Sequence, residues 1–284
     1  MAKKAAVAAN TIEIQTIELA QATYQLYGIT PLIMHRFDWK AWQELLMPSR
    51  KKNQAEKEAS LKHDPVNEFR NCIYLNRDRT RKALIHLPEG AIHQCVAAAA
   101  IDMPGAKRTQ MERLTGVVDT QIDLFGVPQM FMRMVRNSDM NRTPDVRTRP
   151  IFPQWACSVT IRWVKNRLTE KTIGNLIGAA GQIVGIGDWR PERGGSYGRF
   201  NLVAHDDRRF LDIVNKQGRV AQDSALKEPI YFDDDTREIM TWFESEVSTR
   251  EVEHLIGVNS RKPNGKRKVV TVKTVGGKEH VARH

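Results

Sequence analysis

Between Gly185 and Phe200 the chain places five glycines (Gly185, Gly187, Gly194, Gly195 and Gly198) among Arg190, Arg193, Arg199, Trp189 and Tyr197. Glycine lets a backbone adopt positive φ and approach a ligand closely. Successive amides in such a loop form an anion nest, and guanidinium groups add bidentate contacts to phosphate. The two aromatic rings can stack on bases or wedge beneath the loop. These residue types together point to a loop that holds a sugar–phosphate chain; the bland alternative is a connector that only turns the chain. A dinucleotide fingerprint needs a strand before its glycines and a helix after them. Here the order is reversed, and no Gly-Lys-Ser/Thr follows to make a Walker loop. Asp188 and Glu192 read as braces for Arg190 or Arg193 rather than as metal ligands.

Three further basic clusters accompany the loop. Arg133, Arg136, Arg142, Arg147 and Arg149 fall within seventeen residues, opposed by Asp139 and Asp145 and flanked by Met130, Phe131, Met132 and Met134. The stretch 136–150 reads as a polar, Arg-rich loop on a hydrophobic stem, able to lie along a phosphate backbone or to serve solubility. Arg77, Arg79 and Arg81 alternate between two β-like pieces, Cys72–Leu75 and Ala83–Leu87. On a strand they would form a basic stripe on one face. The last 24 residues carry eight Lys and Arg against Glu279 alone. Such a tail raises affinity for polyanions through counterion release, without sequence preference.

Candidates for catalysis are sparse. His93 and Cys95 lack a second pair at zinc spacing and diverge by about 200° on a helix. Asp233, Asp234 and Asp235 read as a helix cap. The sequence contains no hydrolase, zinc-protease or kinase signature. We expect no metal and no cofactor.

The elements that must position these residues follow from periodicity and punctuation. The chain has 284 residues and 41% hydrophobic content, enough for one large domain or two small ones. Lys and Arg number 44 against 33 Asp and Glu, a net charge of +11 that implies a polyanionic partner. No apolar run approaches the length of a membrane span. Three well-separated cysteines suit a reducing cytoplasm. Residues 1–10 read as a flexible leader. A β-rich segment spans Thr11–Ile33, a helix starts at Asp38, and residues 49–64 are polar. An Ala-rich helix follows Pro88. Cys157–Trp163 alternates as a strand, Thr169 opens a helix through Ala180, and a strand covers Phe200–Ala204. Residues 207–258 read as helical and 259–284 as a basic tail or hairpin.

A helix, a glycine-rich Arg-bearing loop and then a strand resemble the RAMP superfamily of CRISPR-associated RNA-binding proteins, above all the backbone subunits that coat guide RNA. The resemblance rests on Gly28–His35, on Ile85-His86-Leu87-Pro88 with the Ala-rich helix, and on Gly185–Phe200. Similar free-standing proteins occur in bacteriophage genomes. The resemblance implies an α+β fold with a ferredoxin-like (RRM-type) βαββαβ core over residues 11–206, carrying insertions at about 38–64 and 106–150. It also implies side-by-side assembly on a strand. The expected function is sequence-tolerant binding of single-stranded DNA or RNA, protecting or annealing it, with a sheet as base platform. The expected partners are the nucleic acid and further copies of the chain, in a filament or ring, with no membrane. Two alternatives stand: a metal-independent RAMP-type ribonuclease with His35 as general base, and a purely structural assembly protein.

Overall fold

The computed structural model describes residues 16–37, 42, 46–47, 63–136 and 142–260. In chain order the elements are β1 (Leu19–Gly28), β2 (Leu32–Ile33), α1 (Pro65–Asn71), β3 (Ile85–Pro88), α2 (Glu89–Ala99), α3 (Arg108–Leu114), β4 (Thr115–Val117), β5 (Gln121–Phe125), β6 (Gln129–Arg136), β7 (Pro144–Phe152), β8 (Ala156–Val164), α4 (Glu170–Ala179), β9 (Phe200–Val203), α5 (Arg208–Lys216), α6 (Arg219–Lys227) and α7 (Asp234–Ser260). The fold is α+β with antiparallel sheets. One sheet runs β3-β5-β8-β1-β9, with β4 also paired to β8; the other is β2-β7-β6. The chain divides into two compact units, residues 1–237 and 238–284.

The central pair explains the main core. In β8, Cys157, Val159, Ile161 and Trp163 are buried while Ser158 and Arg162 are exposed. This is the period-2 pattern of a strand with one covered face. Its partner β1 sets Leu26 opposite Cys157, Tyr24 opposite Val159 and Ala22 opposite Ile161. Ile92 and Val96 of α2 and Ile173, Leu176 and Ile177 of α4 are buried with them, and α2 packs on α4 and on the turn that follows it. On the opposite face α5 packs over β1 and β8. There Phe210 and Ile213 meet Phe125, Ala156 and Tyr27. Further along that face Gln21, Thr23, Ser158 and Arg162 are exposed together with Leu19, and the Thr23 and Thr160 hydroxyls lie 2.9 Å apart. The Tyr27 ring lies beneath Arg209.

Two side chains tie α6 to the sheet region: Arg219 donates to the carbonyls of Arg81, Asp78 and Ala83, and Gln222 reaches further in. Gln222 is fully buried. Its Oε1 accepts from the amides of Leu84 and Ile85 at 2.8 and 3.2 Å, and its Nε2 donates to the carbonyls of Leu124 and Gly126 at 2.7 and 3.0 Å.

Three local expectations are corrected. Much of the stretch expected as a loop over 136–150 is strand: Arg136 ends β6 and Pro144–Phe152 forms β7, paired in register so that Arg133 faces Arg147 and Phe131 faces Arg149, while residues 137–141 lie outside the described residues. Arginines at every second position carry the strand period there, and their charge disguises it. Arg77, Arg79 and Arg81 do not share a strand face. Asp78 Oδ1 accepts from the Thr80 amide and hydroxyl and closes a turn, and Arg81 folds inward onto Asp123 at 3.0 Å and the Gln121 carbonyl at 2.8 Å. Cys72–Leu75 is not a strand either. α1, capped by Asp64 through the Asn67 amide, runs to Asn71, and a single bridge from Leu75 to Ile85 follows. The leader, most of the Asp38 helix, most of the polar segment 49–64 and the tail from Arg261 lie outside the described residues.

Candidate nucleic-acid interface

The glycine-rich loop is positioned by its own backbone. α4 starts at Thr169, whose hydroxyl accepts from the Thr172 amide, and ends in a π-helical turn over Ala180–Val184. The chain then folds back over β2. The Asp188 amide donates to Ile33 O at 2.9 Å, Gly198 N to Pro31 O at 2.8 Å and Ile186 N to Gly198 O at 3.0 Å, while Thr30 Oγ1 receives the Arg199 amide at 2.9 Å. Gly187 and Gly198 have φ of +81° and +71°. A Cβ at Gly187 would collide with the Ile33 carbonyl, and one at Gly198 with that of Ile186. Gly195 likewise lies against Trp189, while Gly194 faces open space. Most of these glycines are thus required by the loop's packing on itself and on β2.

Trp189 and Tyr197 are half-buried and brace the loop. Both rings lie 6.4 Å from Phe131 of β6, which also meets Phe232 edge-on at 5.4 Å. With Ile33 and Ile151 they form a small apolar cluster that joins loop to hairpin.

The arginines divide into braced and open ones. Arg190 grips Glu192 with Nε and a terminal nitrogen at 2.9 and 2.6 Å and donates to Gly187 O. Arg149 is buried and ion-paired to Asp188, so Asp188 braces the hairpin rather than Arg190 or Arg193. Arg133 lies over Phe131 and pairs with Asp233 at 2.6 Å and Asp235 at 3.3 Å. Burial pushes the Asp233 carboxyl upward, but the Thr236 hydroxyl and amide together with Arg133 hold it below its ordinary value. Arg193 is exposed; its amide donates to Arg190 O at 2.9 Å, and its guanidinium has no hydrogen bond or ion pair among the described residues. Arg147 and Arg199 are half-buried, and Arg136, Arg142, Arg77 and Arg79 are exposed.

These elements enclose a cleft of about 590 Å³. Its walls are β2 with His35, the loop with Arg190 and Arg193, Arg108 of α3, and the first turn of α2 at Gly90 and Ala91. α2 follows Pro88 without a side-chain cap; the Glu89 amide donates to Thr120 O at 3.2 Å, and the turn at Gly90 and Ala91 brings the positive end of the helix dipole to the cleft. Arg147 and Arg149 act electrostatically on His35 from the hairpin. Three guanidiniums, of Arg108, Arg190 and Arg193, thus line the cleft, against Asp188 and Glu192. Arg108 reaches Glu112 at 3.0 Å and Glu192 at 3.9 Å. Neither Arg108 nor the α2 terminus was singled out in the sequence. The Pro-Glu-Gly start of the Ala-rich helix and the single Arg opening α3 were the available signals.

His35 keeps an exposed edge, but desolvation by its neighbours first, and then Arg149 and Arg147, lower its pKa to about 4. It is neutral at pH 7. The unfolded chain takes up the imidazole proton near pH 6.5 and the folded one only near 4. Stability from this group is therefore complete above about pH 6.5 and is lost as pH falls toward 4. Melting temperatures at pH 7 and pH 5 should show that loss, and His35→Gln should make it shallower. Burial also raises the Cys95 and Cys157 thiols to about 12, so neither is a thiolate at neutral pH. Among the described residues no group of three or more His, Cys, Asp or Glu is placed to hold a metal ion. No described helix is long and apolar enough to cross a membrane.

Fold and cleft define an α+β protein with a cationic groove of ligand size. No family model and no curated protein matches the sequence. Among solved structures, Cmr6 from Pyrococcus furiosus is similar with a TM-score of 0.35 at 10% identity, over 66% of this chain and 98% of that one. The cryo-EM structure of a type III-B Cmr-beta bound to cognate target RNA is similar with a TM-score of 0.33 at 12% identity, over 66% of this chain and 59% of that chain. At these levels the functional reading stands on the chain's own residues.

Proposed function

We propose that this protein binds single-stranded nucleic acid, DNA or RNA, without sequence preference, and that copies of it assemble along the strand and protect it. The observation that carries the reading is the cleft. It holds three guanidiniums against two carboxylates and the positive end of a helix dipole at Gly90 and Ala91, an arrangement suited to phosphate. Its volume is that of a small-ligand site, which admits a short run of one strand and excludes a duplex. The succession β1, α2, β5, β8, α4, β9 and the strand order β9-β1-β8-β5 fit a ferredoxin-like βαββαβ core.

The test is binding of a labelled single-stranded oligonucleotide across a salt series. With three or four phosphates gripped, affinity should fall about tenfold to fiftyfold between 50 and 200 mM salt. No binding at low salt would leave only a structural assembly role. One observation favours a second reading: the His35 imidazole lines the cleft wall, where a metal-independent ribonuclease would need a general base. Under that reading RNA is cut in EDTA and His35→Ala abolishes the cutting; under the binding reading RNA survives intact.

A further inference from the structure

A groove of about 820 Å³ lies away from the cleft, between α3 and α4. Met103, Met111, Leu114 and Leu176 line it, and Arg113 and Arg167 stand at its rim. Both arginines are exposed, and neither is paired among the described residues. An apolar floor with two unpaired cations calls for an apolar segment that carries acid.

This chain holds such a segment. α7 displays Ile239 and Trp242, 42% and 64% exposed and one helical turn apart. Glu238 is exposed beside them, and Asp235 and Glu246 fall on the same face at helical spacing. From Asp234 to Arg250 the helix carries five carboxylates and two guanidiniums, in a chain whose net charge is +11. A helix presenting anchors at i and i+3 is suited to an apolar groove.

We propose that the α3–α4 groove receives the Ile239–Trp242 face of α7 from a second copy, with Glu238 facing the rim arginines. The proposal deepens the assembly part of the reading above and rests on it. The contact is heterologous. Each copy offers one groove and one helix, so joined copies keep a free groove at one end and a free helix at the other. The result is an open series, which suits assembly along a strand.

The test uses the full chain without nucleic acid. The mass of the wild-type protein, measured by light scattering, should grow with concentration. Ile239→Asp with Trp242→Asp should give monomers, and so should Arg113→Glu with Arg167→Glu; all four sites are exposed and both variants should keep the wild-type melting curve. Mixing the two variants leaves one intact helix and one intact groove, so the mixture should form dimers and nothing larger. A wild-type protein monomeric at all concentrations, variants of unchanged mass, or a mixture that stays monomeric would each overturn the proposal. Cysteines placed at Met103 and Trp242 should cross-link two chains, and an intrachain disulfide would instead assign the groove to the chain's own helix. Oligonucleotide binding by the monomeric variants is read separately. Retained mass growth with no binding sinks the nucleic-acid reading alone, and binding without mass growth sinks the groove alone.

Discussion

Arg193→Glu combined with Arg108→Gln should weaken oligonucleotide binding about a hundredfold at low salt without unfolding the protein. Each residue removes a cation from the cleft wall, and a charge-assisted hydrogen bond is worth about 1.5–3 kcal/mol, so losing two gives at least two decades. The Arg193 guanidinium has no internal partner among the described residues, so its replacement breaks no hydrogen bond or ion pair within the fold. Arg108 gives up an i,i+4 pair with Glu112, worth about 0.3–0.5 kcal/mol. The melting curve should therefore shift little. Arg77→Glu with Arg79→Glu removes as many cations from an exposed loop outside the cleft lining and should change affinity by less than about fivefold. Equal losses from the two double variants would mean that binding follows net charge rather than the cleft.

Gln222→Leu should cost about 4 kcal/mol. The side chain is fully buried and satisfies two amides and two carbonyls of the β3 and β5 region. Leucine has similar size, so little cavity forms, but four backbone groups lose a partner where water does not reach. At about 1 kcal/mol or more for each orphaned group, the melting temperature should drop by about 10 °C or more. Gln222→Glu keeps both acceptor bonds, loses both donors and buries a charge, so it should be no better tolerated. Val220→Ala, on an exposed part of the same helix, should stay within about 0.5 kcal/mol of wild type. A Gln222→Leu protein that melts like wild type would show that β3 and β5 do not depend on this anchor.

Much of the fold was legible because apolar period and punctuation agreed. The alternation from Cys157 to Trp163 is β8 within one residue at each end. Thr169 caps α4 as its position before a periodic run implied, and the three helices after residue 207 occupy the expected stretch. Legibility failed where charge stood in apolar positions. Arg147 and Arg149 look like loop residues by composition. In β7 one is half-buried and the other is neutralised by Asp188, a residue 39 positions further on. Gln222 was equally hidden, because a glutamine at the covered phase of a helix looks like an error until its four partners are in place.

The sequence by itself determined several of the strands and helices, β8 and α4 among them, the excess of positive charge, and a glycine-arginine loop between a helix and a strand. Those properties follow from local periodicity and from counting. Only the tertiary structure decided which arginines remain available. Arg149, Arg190, Arg133 and Arg81 each found a carboxylate, while Arg193 stayed open beside Arg108 and the first turn of α2. The reason is physical: pairing between charges falls off over a few ångströms, so the fate of a guanidinium depends on neighbours in space that spacing along the chain does not reveal.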